Sequence, residues 1–61
     1  MKNLKVKLNI MKTLGELEYA LHSEALRLLD EEPAKGAAYL DARRFINKWA
    51  KQLWNKWQNE D

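Results

Sequence analysis

The only proline of the chain, Pro33, stands near its middle and governs what can form on either side of it. Proline disfavours helical geometry at the residue before it, so a helix arriving at Glu32 ends near Asp30 or Glu31 and a new element begins beyond. Both lengths of chain are short. With 61 residues in all, the protein is one small domain, 1–61, without a cysteine to staple it. At this size folding hides only about 60% of the surface that the unfolded chain exposes, so a monomer is marginal without a partner.

The segment before the first helix reads Leu4-Lys5-Val6-Lys7-Leu8-Asn9-Ile10, with apolar residues alternating strictly with Lys5, Lys7 and Asn9. A period of two predicts a β-strand over about 4–10, because a helix would scatter the four apolar residues around its circumference. Nothing else in the chain alternates, so the strand finds its partner in a second copy, as an antiparallel ribbon across a two-fold axis with Val6 and Leu8 in the dimer core. A frayed arm or a first helical turn is the other reading of the same residues.

Thr13 and Glu16 have the spacing of a capping box and predict the start of a helix over about 14–31. Leu14, Leu17, Leu21, Ala25 and Leu28 share one of its sides. After Pro33 the pattern is ambiguous. Proline at a first helical position and three alanines among the next five residues favour immediate helix, whereas Gly36 and a cap at Asp41 favour a turn first. A second helix is placed at about 37–58. Its apolar side carries Ala42, Phe45, Ile46, Trp49, Ala50, Leu53 and Trp57, which form the core or a dimer interface, while Arg44, Lys48, Lys51, Asn55 and Gln58 lie opposite. The expected fold is mainly α: a short N-terminal strand and two antiparallel helices, with the strand paired across a homodimer.

Catalysis has little to work with. There is no thiol, the single imidazole is His22, and no Ser-His-acid set, glycine-rich phosphate loop or ligand-spaced carboxylate cluster occurs. Glu18, four residues before His22, supplies a nominal acid–base pair, but a boundary histidine is the simpler reading. No enzyme, cofactor or metal is expected. Trp49, Trp54 and Trp57 with Lys48, Lys51 and Lys56 have the composition of a stacking platform or an interfacial membrane helix; Trp49 and Trp57, however, fall on the apolar side, where a small domain needs them for burial. Tyr19 and Tyr39 are placed at boundaries.

Charge is unevenly laid out. Lys2, Lys5, Lys7 and Lys12 give residues 1–12 a charge of +4. Arg27 against Glu16, Glu18, Glu24, Asp30, Glu31 and Glu32 gives residues 13–33 a charge of −5. Lys35, Arg43, Arg44, Lys48, Lys51 and Lys56 against Asp41, Glu60 and Asp61 give residues 34–61 a charge of +3. No apolar run approaches the roughly 18 residues of a membrane span, and the N-terminal lysines interrupt the apolar stretch that an export signal requires. A cytoplasmic protein without a membrane partner is expected.

On a ribbon whose apolar side packs on the helices, Lys5, Lys7 and Asn9 of both copies point outward together. Such a ribbon fits the DNA major groove, where Lys donates to guanine and Asn pairs with adenine. The order strand–helix–helix, with the strand Leu4 to Ile10, the opening Thr13-Leu14-Gly15-Glu16-Leu17 and the run Asp41 to Ala50, resembles the ribbon-helix-helix DNA-binding family, although the connection between the helices is longer. The resemblance implies a small dimeric repressor. Its base readers correspond to Lys5, Lys7 and Asn9, and its phosphate anchor falls near Asp41, Ala42, Arg43 and Arg44. The small size and the Lys- and Trp-rich end are also similar to short accessory proteins of temperate phages. The expected function is DNA-binding transcription regulation; the alternative is a helical hairpin that covers a protein partner through its Trp-bearing helix, without DNA.

Overall fold

The computed structural model describes residues 2–60, which form two long helices, α1 (Leu4–Glu31) and α2 (Pro33–Gln58). They fold back on one another as a hairpin 47 × 16 × 9 Å in extent. Glu32 alone joins them, at φ −141° and ψ 76°, and its amide donates to the Leu28 carbonyl at 2.6 Å. Pro33 opens α2, where its missing N–H leaves nothing unsatisfied. The amides of Lys35 and Gly36 then donate to the Glu32 carbonyl, each at 3.0 Å.

Among the described residues there is no strand. The segment 4–10, expected as a ribbon, is the opening of α1, and the dimeric ribbon falls with it. The reason lies in a longer periodicity that overrides the local alternation. Lys7, Met11, Leu14, Glu18, Leu21, Ala25 and Leu28 recur at alternating four- and three-residue steps, and each is buried or half-buried. Gly36, Leu40, Arg43, Asn47, Ala50, Trp54 and Trp57 do the same along α2. These are the two sides of a heptad seam, and it runs through the N-terminal segment without a break.

Three local readings change accordingly. Thr13 does not cap a helix; its hydroxyl donates to the Asn9 carbonyl one turn back at 2.9 Å, as a hydroxyl inside a helix does. The second helix begins at Pro33 and not near 37, so Asp41 lies within it and faces Arg44 at 3.6 Å. Gly36 marks no loop. It is buried in α2, and a Cβ there would stand 2.9 Å from the Leu29 nitrogen and 3.1 Å from the Ala25 carbonyl oxygen. Its missing side chain lets the two backbones approach closely beside the turn.

The core is small. Leu14, Ala25 and Leu28 are the buried hydrophobic residues, with Ala25 wholly inaccessible. The chain exposes 4788 Å², against roughly 4,100 Å² expected for a compact monomer of its mass.

Candidate functional site

The seam leaves two long sides of the hairpin open, and they differ. On one, the spacing of 3.6 residues per turn lines up Val6, Ile10, Thr13 and Leu17 on α1 beside Ala42 and Trp49 on α2, while Phe45 stands on the back of α2, away from α1. Leu21, Ile46, Leu53 and Trp57 are half-buried along its inner edge. Both helices contribute apolar residues, so the surface is continuous across the seam. Phe45 is 68% exposed, Val6 57% and Trp49 44%. On the back of α2, turned away from α1, Phe45, Lys48, Trp49 and Gln52 line a shallow hollow.

The opposite side is mixed. Asn47 donates to Glu18 at 2.9 Å across the seam, and Met11, Asn47, Ala50, Lys51, Trp54 and Asn55 border an open groove of about 410 Å³. Leu4, Leu8, Tyr19, Leu26 and Leu29 are exposed along α1 here, but α2 answers them with Arg44, Lys48, Lys51 and Asn55 on its outer flank.

The residues expected to read DNA do not form a common surface. Lys7 is turned into the seam and is 8% exposed; its Nζ donates to Glu60 at 2.9 Å and lies 5.5 Å from the centroid of the Trp57 ring. Lys5 and Asn9 stay exposed on the outer side of α1, away from α2. Val6 and Leu8, expected side by side in a ribbon core, are exposed on opposite flanks of α1. Of the expected phosphate anchors, Arg43 is half-buried at a seam position and Arg44 is exposed. Within the apolar set of α2, Ile46, Leu53 and Trp57 are half-buried, whereas Phe45 and Trp49 are exposed.

Electrostatically the molecule has two ends. At the open end, residues 2–12 and 48–60 hold seven lysines against Glu60. The hydrogen bond from Lys7 holds the Glu60 carboxyl below the usual carboxylate range, with Lys56 and Lys2 adding to it. At the turn end, Glu24, Asp30, Glu31 and Glu32 stand against Arg27 and Lys35. Arg27 bonds Glu24 at 2.7 Å and Glu31 at 3.2 Å, and its hydrogen bonds hold the Glu24 carboxyl low.

Sequence reasoning placed Leu17 on the buried side of the first helix with Leu14 and Leu28, whereas it is exposed, in line with Val6 and Ile10. The signal was the 6-10-13-17 spacing, masked by reading 4–10 as a strand. Among the described residues no group of three or more His, Cys, Asp or Glu side chains is arranged to hold a metal ion. No helix of the described chain is long and apolar enough to cross a membrane. Compared with known proteins, the chain matches no family model, no curated protein and no solved structure.

Proposed function

We propose that the protein is a non-enzymatic helical-hairpin interaction module whose working surface is the apolar side carrying Val6, Ile10, Leu17 and Trp49. One observation carries this reading: both helices expose large apolar residues on that side, Val6, Ile10 and Leu17 on α1 and Trp49 on α2, whereas the opposite side exposes them on α1 alone. Contiguous exposed apolar surface of this kind marks protein association sites. A rigid aromatic such as Trp49 is well suited to anchor one. DNA reading through Lys5, Lys7 and Asn9 is not carried forward, since it required a ribbon and Lys7 is engaged with Glu60 and Trp57.

Hydroxyl-radical footprinting of the chain in the cells that make it, compared with the chain unfolded in denaturant, tests the reading. Trp49 is expected to be protected in the cell while Phe45, on the back of α2, and Tyr19, on the opposite side, are labelled freely. Equal labelling of all three would remove the docking surface.

A further inference from the structure

We infer that the mixed side of the hairpin, in its open half, takes an acidic amphipathic helix of a partner protein, laid along the groove as a third helix. This surface is separate from the apolar side, and the inference does not rest on the reading given for that side. The groove of about 410 Å³ has an apolar floor in Met11, Ala50 and Trp54, with the amides of Asn47 and Asn55 set into it. Leu8 stands exposed beside it on α1.

Its edges are basic. Arg44, Lys48, Lys51 and Asn55 follow one another at four- and three-residue steps along the outer flank of α2. Lys12, two turns before Tyr19 and exposed, lies on the facing flank of α1. Arg44 has Asp41 at 3.6 Å, whereas Lys12, Lys48 and Lys51 have no ion pair among the described residues. Glu18, beside the groove, is half-buried and already accepts from Asn47 at 2.9 Å. Like charges one turn apart weaken a helix, and the α1 row Leu8, Lys12, Gly15 and Tyr19 holds no carboxylate to relieve them. Cations on both edges and an apolar floor between them match an element with an apolar stripe flanked by acids.

Gly15 is a second, independent reason. Glycine inside a helix weakens it. At Gly36 the hairpin uses the missing side chain, since a Cβ there would stand 2.9 Å from the Leu29 nitrogen; at Gly15 a Cβ meets nothing within 4 Å. Gly15 comes one turn after Met11 on the groove side, where a third backbone crossing the seam needs that space. One glycine seats α2 on α1, and the other seats the partner.

The floor selects a helix over other anionic partners. Trp54 is half-buried and packed edge to face on Trp57 at 6.5 Å, a fixed floor and not a free ring on which bases stack. A flat lipid surface cannot fill a groove and would strip water from the two amides without replacing their hydrogen bonds. Tyr19 lies beyond the covered stretch and stays open.

Fluorescence anisotropy with the full chain tests this. The probe is a labelled peptide of about three heptads with Leu at a and d, Glu at e and g and Ala elsewhere, whose glutamates keep it from pairing with itself. The expected result is micromolar binding that weakens about tenfold when NaCl is raised from about 20 to about 500 mM. The double variant Lys48→Glu, Lys51→Glu is expected to lose about tenfold or more in affinity. Gly15→Leu is expected to lose binding while its helicity and Tm are kept or raised, a combination that a merely structural glycine would not give. Phe45→Gln, on the back of α2, should bind as the parent chain does. The same peptide with Lys in place of Glu should not bind. Absence of binding, equal binding of the lysine peptide, or a Gly15→Leu chain that binds like the parent overturns the inference. Oligothymidylate or phosphatidylserine vesicles bound as tightly as the acidic peptide, with the same loss in the double variant, would also overturn it and give the groove to that polyanion. Protection of Trp49 in the cell is read on the other side, so failure here leaves the apolar side's reading standing.

Discussion

The two ends of the hairpin are held together by different chemistry. At the turn end the helices meet through small residues: Ala25 is inaccessible, Gly36 leaves no room for a Cβ, and Leu28 closes the space beside them. At the open end they are held apart by large ones, with Trp54 and Trp57 packed edge to face at 6.5 Å and Lys7 reaching over Trp57 to Glu60. One end gains stability from close backbone approach. The other gains it from aromatic area and a charge kept where it can find partners.

Substitutions can break this contrast, and the largest effect belongs to the turn end. Leu28→Ala is expected to cost about 2–5 kcal/mol by emptying one of the few buried sites, read as a large fall in Tm or outright loss of helical circular dichroism. Next comes a matched pair of glycines. Gly36→Ala is expected to destabilise by about 1–3 kcal/mol, since its Cβ must displace backbone and not a flexible side chain. Gly15→Ala meets nothing within 4 Å and is expected to stabilise α1 by about 0.5–1 kcal/mol through helix propensity alone. Thermal denaturation of the two variants side by side separates steric need from mere tolerance.

The open end responds more mildly. Lys7→Ala is expected to lose about 1 kcal/mol, from the cation–π contact and the packing of the lysine stem. Lys7→Met keeps the stem and is expected to be near neutral or slightly stabilising, as apolar replacements of partly buried ion pairs often are. Urea midpoints distinguish them. The smallest effect is one of pH. The Glu60 carboxyl titrates lower in the folded chain than in the unfolded one, so its contribution is complete above the unfolded carboxylate range and disappears as pH falls through the folded value. Tm is therefore expected to drop in acid, and to drop less in Glu60→Gln; an identical pH profile for both chains would show that the contact with Lys7 is not formed in solution.

How far the sequence revealed this depended on how locally each residue acts. Pro33 acts on its neighbours alone, so the reversal of the chain was legible from a single position. Thr13 and Glu16 also have a local signature, yet the context denies it, because nothing between Ile10 and Thr13 stops a helix. The alternation of Leu4 to Ile10 was misleading for a related reason. Two of its apolar residues lie on each flank of α1, and the residue that the seam admits is Lys7, whose charge disguises a core position. Seam positions at Glu18, Arg43 and Asn47 have the same disguise. Phe45 and Trp49 were legible as apolar but not as exposed, since which part of a broad apolar stripe meets the facing helix depends on the crossing of the two helices. Gly36 is intelligible only once Ala25 and Leu29 are placed against it.

The single-residue link at Glu32 also sets the order in which the molecule comes together. Contacts beside it join residues close in sequence, whereas Lys7 and Glu60 are 53 positions apart. Loop-closure entropy rises with that separation, so the hairpin zips from the turn outward, with the aromatic end forming last and opening first. Amide hydrogen exchange should then slow progressively toward Leu28 and Gly36 and quicken toward Val6 and Trp57, a gradient in time written along the length of a molecule that looks uniform in shape.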